Sequence, residues 1–162
     1  MELRDEILDL CKNAKAASAK LALADTEQKN GILLCIARIL REHTAELTAA
    51  NRLDLDRAAD SGLAKAMIDR LTLSEKRVET ICRSLEELVN LEDPIGKGES
   101  WERPSGITIR HIRVPLGVVA IIYEARPNVT VDSAALCLKT GNAVVLRGGK
   151  EAIHTNKKLV EL

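Results

Sequence analysis

A chain of 162 residues, 46% apolar and 30% charged, is sized for one core-forming soluble domain. Lysine plus arginine balance aspartate plus glutamate at 24 each, and Trp101 and Tyr123 are the only aromatics, so neither a net field for nucleic acid or an anionic membrane nor a base-stacking platform is present. The charged opening, Met-Glu-Leu-Arg-Asp-Glu, is no signal peptide, and the longest nearly uncharged apolar run, Val114 to Tyr123, is too short to span a bilayer; a cytoplasmic location is expected.

Residues 3–23 place Leu3, Ile7, Leu10, Cys11, Ala14, Ala17 and Leu21 at helical spacing, with lysines and acids opposite. Asp25, with Gln28 three residues on, forms a capping-box pattern that opens a second helix through Arg41. Glu42 to Ala59 continues helically after a kink, and Ser61-Gly62 stops it. Asp54, Asp56 and Asp60 do not make a calcium loop, because Ala58 and Ala59 stand where a ligand and the turn glycine are needed. That stretch reads as a solvated helix end. A short helix over Ala64 to Arg70 leads to Ser74, an N-cap for a helix from Glu75 to Leu91 with Val78, Ile81, Cys82 and Leu85 on one face. Residues 92–106, rich in Pro and Gly, read as a surface loop, and Gly96-Lys97-Gly98 lacks P-loop spacing. Ile107 to Val114 alternates as a strand.

The stretch Val114 to Lys150 organises the rest. Val118, Val119, Ile121 and Ile122 form a buried strand pattern, the loop Glu124-Ala-Arg-Pro-Asn128 follows, and Val129 to Lys139 reads as a helix ended by Gly141-Asn142. Ala143 to Leu146 is a second strand, Arg147-Gly148-Gly149-Lys150 a turn, and Glu151 to Leu162 a helix pattern. The fold class is α/β: N-terminal helices, then the start of a Rossmann-type parallel sheet. Ligands of such sheets bind beyond the carboxyl ends of the strands, which singles out loops 123–128 and 147–151. A two-stranded parallel sheet leaves edges unpaired, and the last helix pattern runs to Leu162 without a stop signal, so an incomplete domain of a longer protein is expected. Cys11, Cys35, Cys82 and Cys137 each sit in an apolar helical stripe, read as small buried hydrophobes, and form no zinc or disulfide pattern. His43, His111 and His154 do not cluster. By residue type alone Asn128 is a helix N-cap, Lys139 a helix-end cation, and Arg147 and Lys150 exposed cations beside a glycine turn.

The words Val-Pro-Leu-Gly-Val-Val (114–119), Ile-Tyr-Glu-Ala-Arg-Pro-Asn-Val-Thr (122–130), Leu-Lys-Thr-Gly-Asn-Ala (138–143) and Leu-Arg-Gly-Gly-Lys-Glu-Ala (146–152) closely resemble the gamma-glutamyl phosphate reductases, a branch of the aldehyde dehydrogenase superfamily. The resemblance extends back through Asn51-Arg-Leu-Asp-Leu-Asp and Ile68-Asp-Arg-Leu-Thr-Leu. It implies an N-terminal helical segment and loop of the cofactor-binding domain over 1–106, a strand of an oligomerisation hairpin over 107–114, and the first strand-helix-strand-helix of the nucleotide-binding sheet over 115–162. The implied reaction reduces gamma-glutamyl phosphate to glutamate 5-semialdehyde and phosphate in proline biosynthesis, with NADPH as cofactor and no metal. Asn128 aligns with the family's oxyanion donor, and its neutral amide suits that task. Arg147 stands where the superfamily usually carries lysine. Lys150 replaces a glutamate common in NAD-preferring relatives, which favours a 2′-phosphate. Gly148 and Gly149 would let the backbone approach the cofactor, and Arg126 could meet the substrate's phosphate or carboxylate.

The family's nucleophilic cysteine lies beyond this chain, so the 162 residues alone are expected to be inactive. A homo-oligomer and an association with glutamate 5-kinase are implied in the same way. Two rival readings are the reductase part of bifunctional pyrroline-5-carboxylate synthetase, which Met1 opening on the reductase helices disfavours, and a non-catalytic binding or assembly module.

Overall fold

Asp25 accepts a hydrogen bond from the Gln28 N–H at 2.8 Å while the Gln28 side-chain oxygen accepts from the Asp25 N–H at 3.0 Å. This closed capping box starts α2 (Thr26–Glu42), just after α1 (Leu3–Leu21). The computed structural model describes residues 2–162. His43, at φ −106° and ψ 20°, leaves helical geometry and separates α2 from α3 (Thr44–Asp60), the expected kink. After α4 (Lys65–Leu71), the Ser74 hydroxyl accepts from the Arg77 N–H at 3.3 Å and opens α5 (Glu75–Asn90).

The loop expected over 92–106 contains a strand instead. β1 (Gly98–Glu102) pairs antiparallel with β2 (Thr108–Ile112), Gly98 opposite Ile112 and Trp101 opposite Ile109. Glycine and acids gave β1 no strand pattern; its backbone partners supply the strand. A Cβ at Gly98 would lie 1.8 Å from the His111 carbonyl oxygen, so this position requires glycine.

β3 (Val118–Ile122) and β4 (Ala143–Arg147) form a parallel pair, with α6 (Pro127–Lys139) as the crossover, and a 3-10 turn (Lys150–Ala152) leads into α7 (Ile153–Glu161). The main core lies among helices: Leu33 and Leu40 of α2, Leu47 of α3, Val78, Ile81 and Leu85 of α5, and Val131 and Ala135 of α6. α1 and α6 both pack on β4. No helix among the described residues is long and apolar enough to cross a membrane.

Five readings of side chains change. The strand pattern at Val118–Ile122 does form β3, but none of its residues is buried and Ile122 is 79% exposed, because β4 is its one strand partner among the described residues and α1 covers it only weakly. Cys82 and Cys137 are buried as expected, and burial raises both thiols, but Cys11 and Cys35 are exposed. For Cys11 the reason is that the stripe it shares with Leu3, Ile7 and Leu10 is itself exposed; Cys35 stands outside the core face that Leu33, Ala37 and Leu40 form on α2. Asp56 and Asp60 are exposed, as a solvated helix end requires, but Asp54 is 1% exposed and accepts bonds from residues a hundred positions away. Lys139 does occupy the last turn of α6, yet it is buried and donates to Asn30 Oδ1 at 2.8 Å and to the Val89 carbonyl at 3.1 Å. Asn128 is not the N-cap of α6. Pro127, whose fixed φ suits a first helical position, starts the helix with Arg126 as N-cap, and Asn128 falls inside the first turn.

Candidate functional site

The parallel register that sets Ile122 opposite Arg147 brings both carboxyl-terminal loops to one sheet edge, where the Tyr123 N–H donates to the Arg147 carbonyl at 3.1 Å. Ala125 and Ala152, one from each loop, are buried with Ala58 and Leu71 in a small second core. Beneath the turn, the Thr130 hydroxyl donates to Asn156 Oδ1 at 2.8 Å and, its proton so committed, accepts from the Tyr123 hydroxyl at 2.6 Å. A Cβ at Gly148 would sit 2.4 Å from Asn156 Nδ2 and 3.0 Å from the Tyr123 hydroxyl, and one at Gly149 would sit 2.5 Å from a Glu151 carboxylate oxygen. Gly148 therefore serves the protein's own packing, since Asn156 and Tyr123 are both held to Thr130, whereas the Glu151 side chain beside Gly149 is free to swing away.

Asn128 opens onto a cleft of about 380 Å³ between the start of α6 and the α4–α5 region. Its Nδ2 donates to Asp132 Oδ2 at 3.0 Å, one helical turn on. A side-chain amide carries two N–H groups, and the second has no partner among the described residues. Burial pushes the Asp132 carboxyl above its ordinary value, and the Asn128 hydrogen bond opposes that rise. Arg70, Arg77 and Arg126 line the same cleft. Arg77 is committed: it pairs with Asp69 Oδ1 at 2.8 Å and donates to the Asp69 and Thr72 carbonyls. Arg70 and Arg126 are exposed and have no side-chain hydrogen-bond or ion-pair partner among the described residues. None of the four cysteines lines this cleft.

Lys150 lies elsewhere, in a second cleft of about 370 Å³ with Arg57, Asp54 and Glu151. Arg57 Nη1 is 3.2 Å from His154 Nε2. Arg147 is exposed at the end of β4 and lines neither cleft. The structure thus joins Asn128 with Arg126 and separates both from Lys150. Among the described residues no group of three His, Cys, Asp or Glu side chains could hold a metal ion.

Sequence reasoning missed the supports. Asn51 Nδ2 donates to the Leu71 carbonyl at 2.9 Å and to Thr155 Oγ1 at 3.1 Å, while its Oδ1 accepts from the Leu73 N–H at 2.7 Å. Asp54 accepts from the His154 and Thr155 N–H groups at 3.1 and 2.8 Å and from the Thr155 hydroxyl at 2.6 Å. The available signal was two short polar residues, three apart, on the same side of α3 as Leu47 and Ala58. Arg57, Arg70 and Arg77 carried no signal, because a lone arginine on a helix looks like any solvated cation.

Two parallel strands joined by a crossover helix, with clefts beyond their carboxyl ends, form part of a doubly wound α/β sheet, and the chain belongs to the aldehyde dehydrogenase family, whose model matches residues 3–162. Within that family it is similar to the gamma-glutamyl phosphate reductase of Halothermothrix orenii, 50% identical over 163 aligned positions that take in 100% of this chain and 39% of that protein. The crystal structure of gamma-glutamyl phosphate reductase from Thermotoga maritima superposes with a TM-score of 0.93 at 40% identity, over 96% of this chain and 38% of that one. The reductase structure from Saccharomyces cerevisiae gives 0.90 at 33% identity, over 94% and 39%. The chain spans about two fifths of the length of these relatives.

Proposed function

We propose that this chain is the N-terminal part of an NADPH-dependent gamma-glutamyl phosphate reductase, which converts gamma-glutamyl phosphate to glutamate 5-semialdehyde and phosphate. One observation carries the reading: in a chain half identical along its whole length to a protein of that name, Asn128 presents an uncommitted amide N–H to a cleft lined by arginines.

Displacing phosphate from an acyl phosphate and reducing the resulting acyl group both pass through a tetrahedral oxyanion. Asn128 donates to that oxygen, and Asp132 holds the amide in place so that little reorganisation is needed as charge develops. Arg126 faces the anionic end of the substrate. The thiolate that attacks the acyl carbon comes from outside these 162 residues, consistent with the position of all four cysteines away from the Asn128 cleft and with the raised pKa of the two buried ones.

Bound NADPH supplies the hydride. Its fit rests on the donors at the second cleft: Lys150 and Arg57 are exposed and in no ion pair among the described residues, Asp54 there is committed to hydrogen bonds with α7, and Glu151 is the one other acid; the two cations suit a 2′-phosphate, with Arg147 and the Gly148-Gly149 turn next to Lys150 in sequence. The protein works in the cytoplasm as a homo-oligomer through the β1–β2 hairpin, where Trp101 and Ile112 are exposed. Association with glutamate 5-kinase would hand over a labile acyl phosphate without release.

The test follows NADPH oxidation on gamma-glutamyl phosphate by the 162-residue chain and by the full-length gene product. Only the full-length protein should turn over, and Asn128→Ala in it should lower kcat about 10²- to 10³-fold, as loss of one oxyanion donor does, with NADPH affinity little changed. Activity in the short chain would make a local cysteine the nucleophile. Inactivity of the full-length protein would overturn the reading.

A further inference from the structure

We infer that Arg70, at the end of α4, forms with Arg126 the seat of the substrate's phosphoryl group in the Asn128 cleft. The inference rests on the acyl-phosphate reading above and adds a residue from a different element.

The first argument is charge. Of the three guanidinium groups lining the cleft, Arg77 is neutralised by Asp69 at 2.8 Å, whereas Arg70 and Arg126 face no carboxylate partner. The one other acid, Asp132, is turned to Asn128, and burial disfavours its ionised form. The cleft therefore keeps an excess of positive charge and of unpaired N–H donors, which a dianion satisfies and a neutral group does not.

The second is connectivity. The leaving oxygen is bonded to the same acyl carbon as the oxyanion that Asn128 holds, so phosphorus lies two bonds from that carbon. A phosphoryl group must then occupy the same cleft as the Asn128 amide. The third is preorganisation. Leu71, next in sequence, is fully buried, and its carbonyl accepts from Asn51 at 2.9 Å; Asp69, on the other side, is tied to Arg77. Arg70 is exposed, yet its backbone is fixed from both sides, and its planar fork can meet two phosphate oxygens at once.

Run in reverse, the full-length enzyme joins the semialdehyde to inorganic phosphate: the aldehyde hydrogen leaves as hydride to NADP⁺, a carbon–oxygen bond to phosphate forms, and one proton is released. Arg70→Gln should raise the KM for phosphate about tenfold or more, the loss expected for a charge-assisted pair. The KM values for semialdehyde and NADP⁺ should stay within about twofold, and Arg70→Lys should recover part of the loss. A raised semialdehyde KM with phosphate unchanged would assign Arg70 to the glutamyl carboxylate and overturn the proposal.

Calorimetric titration of inorganic phosphate into the same full-length proteins needs no turnover. Binding that weakens about tenfold in Arg70→Gln supports the seat even if the reductase reaction itself is not found. Equal binding in both proteins, or none in the wild type, overturns it.

Discussion

Asn128 and Asp132 form a pair in which each constrains the other. Asn128 lies one place inside α6 because Pro127 takes the first helical position, and from there an i to i+4 step sets its amide 3.0 Å from the Asp132 carboxylate. Burial raises the Asp132 carboxyl, and the bond from Asn128 favours its ionised form. Removing that donor leaves only burial. Asn128→Ala should therefore move the Asp132 pKa further up, read from the pH dependence of its side-chain carboxyl carbon by NMR. A fall, or no change, would mean that the two groups are not coupled and that Asp132 does not position the amide.

At the scale of elements, α3 is the strut on which both clefts are mounted. Asn51 grips the segment between α4 and α5, and Asp54 caps the start of α7 by accepting three hydrogen bonds, so one helix sets the positions of Arg70 on one side and Lys150 on the other. Near the other end of the same two helices Lys158 of α7 pairs with Glu46 of α3 at 2.6 Å, and this bond, with a second from His43, holds the Glu46 carboxyl down to about 2. Asp54→Ala removes the acceptor for one buried and one part-buried backbone N–H and for a buried hydroxyl. It should cost about 3 kcal/mol, seen as a lower denaturation midpoint, and should speed hydrogen exchange selectively in 153–161. Uniformly faster exchange throughout the chain would show that Asp54 supports the whole core and not the α3–α7 joint.

For the whole molecule, the revealing feature is charge inside an aliphatic core. Lys29 and Asp93 form an ion pair with side chains 2% and 10% exposed, joined by the Thr26 hydroxyl at 2.9 Å and the Ile95 N–H at 3.0 Å. Burial alone would raise the Asp93 carboxyl, but Lys29, Ile95 and Thr26 together hold it below its ordinary value. Lys139, whose ammonium is pushed down by burial and partly restored by Asp93, lies nearby. The pair binds α2 to the segment after α5, with α6 alongside. Because the folded carboxyl is depressed, its stabilisation is fully present above the unfolded pKa and is lost as pH falls through the lower folded one. Asp93→Asn, which strands a buried lysine, should cost about 3–5 kcal/mol near neutral pH. The gap in Tm between wild type and variant should narrow progressively as pH falls below the ordinary carboxylate value; a gap that does not narrow at all in acid would place the loss in packing.

Much of this was legible from residue order. Periodicity and end signals placed the helices and the strand-helix-strand unit, since a capping box such as Asp25 with Gln28, or the Ser74 cap, acts within one turn. The carboxyl-edge position of Asn128, Arg126, Arg147 and Lys150 followed from the order of strands and loops alone. What only the tertiary structure decided involves partners far apart in sequence. Gly98–Glu102 became a strand because β2 lies beside it; Asp54 and Lys139 became buried because α7, α2 and α5 close over them; Gly148 proved necessary because Asn156 and Tyr123 meet there. Arg70 and Arg126, 56 positions apart, share one cleft through the packing of α4 and α5 against α6. Local hydrogen-bonding rules write helices and turns into neighbouring residues, whereas burial and charge pairing depend on which surfaces meet, and that is settled only when the chain has folded.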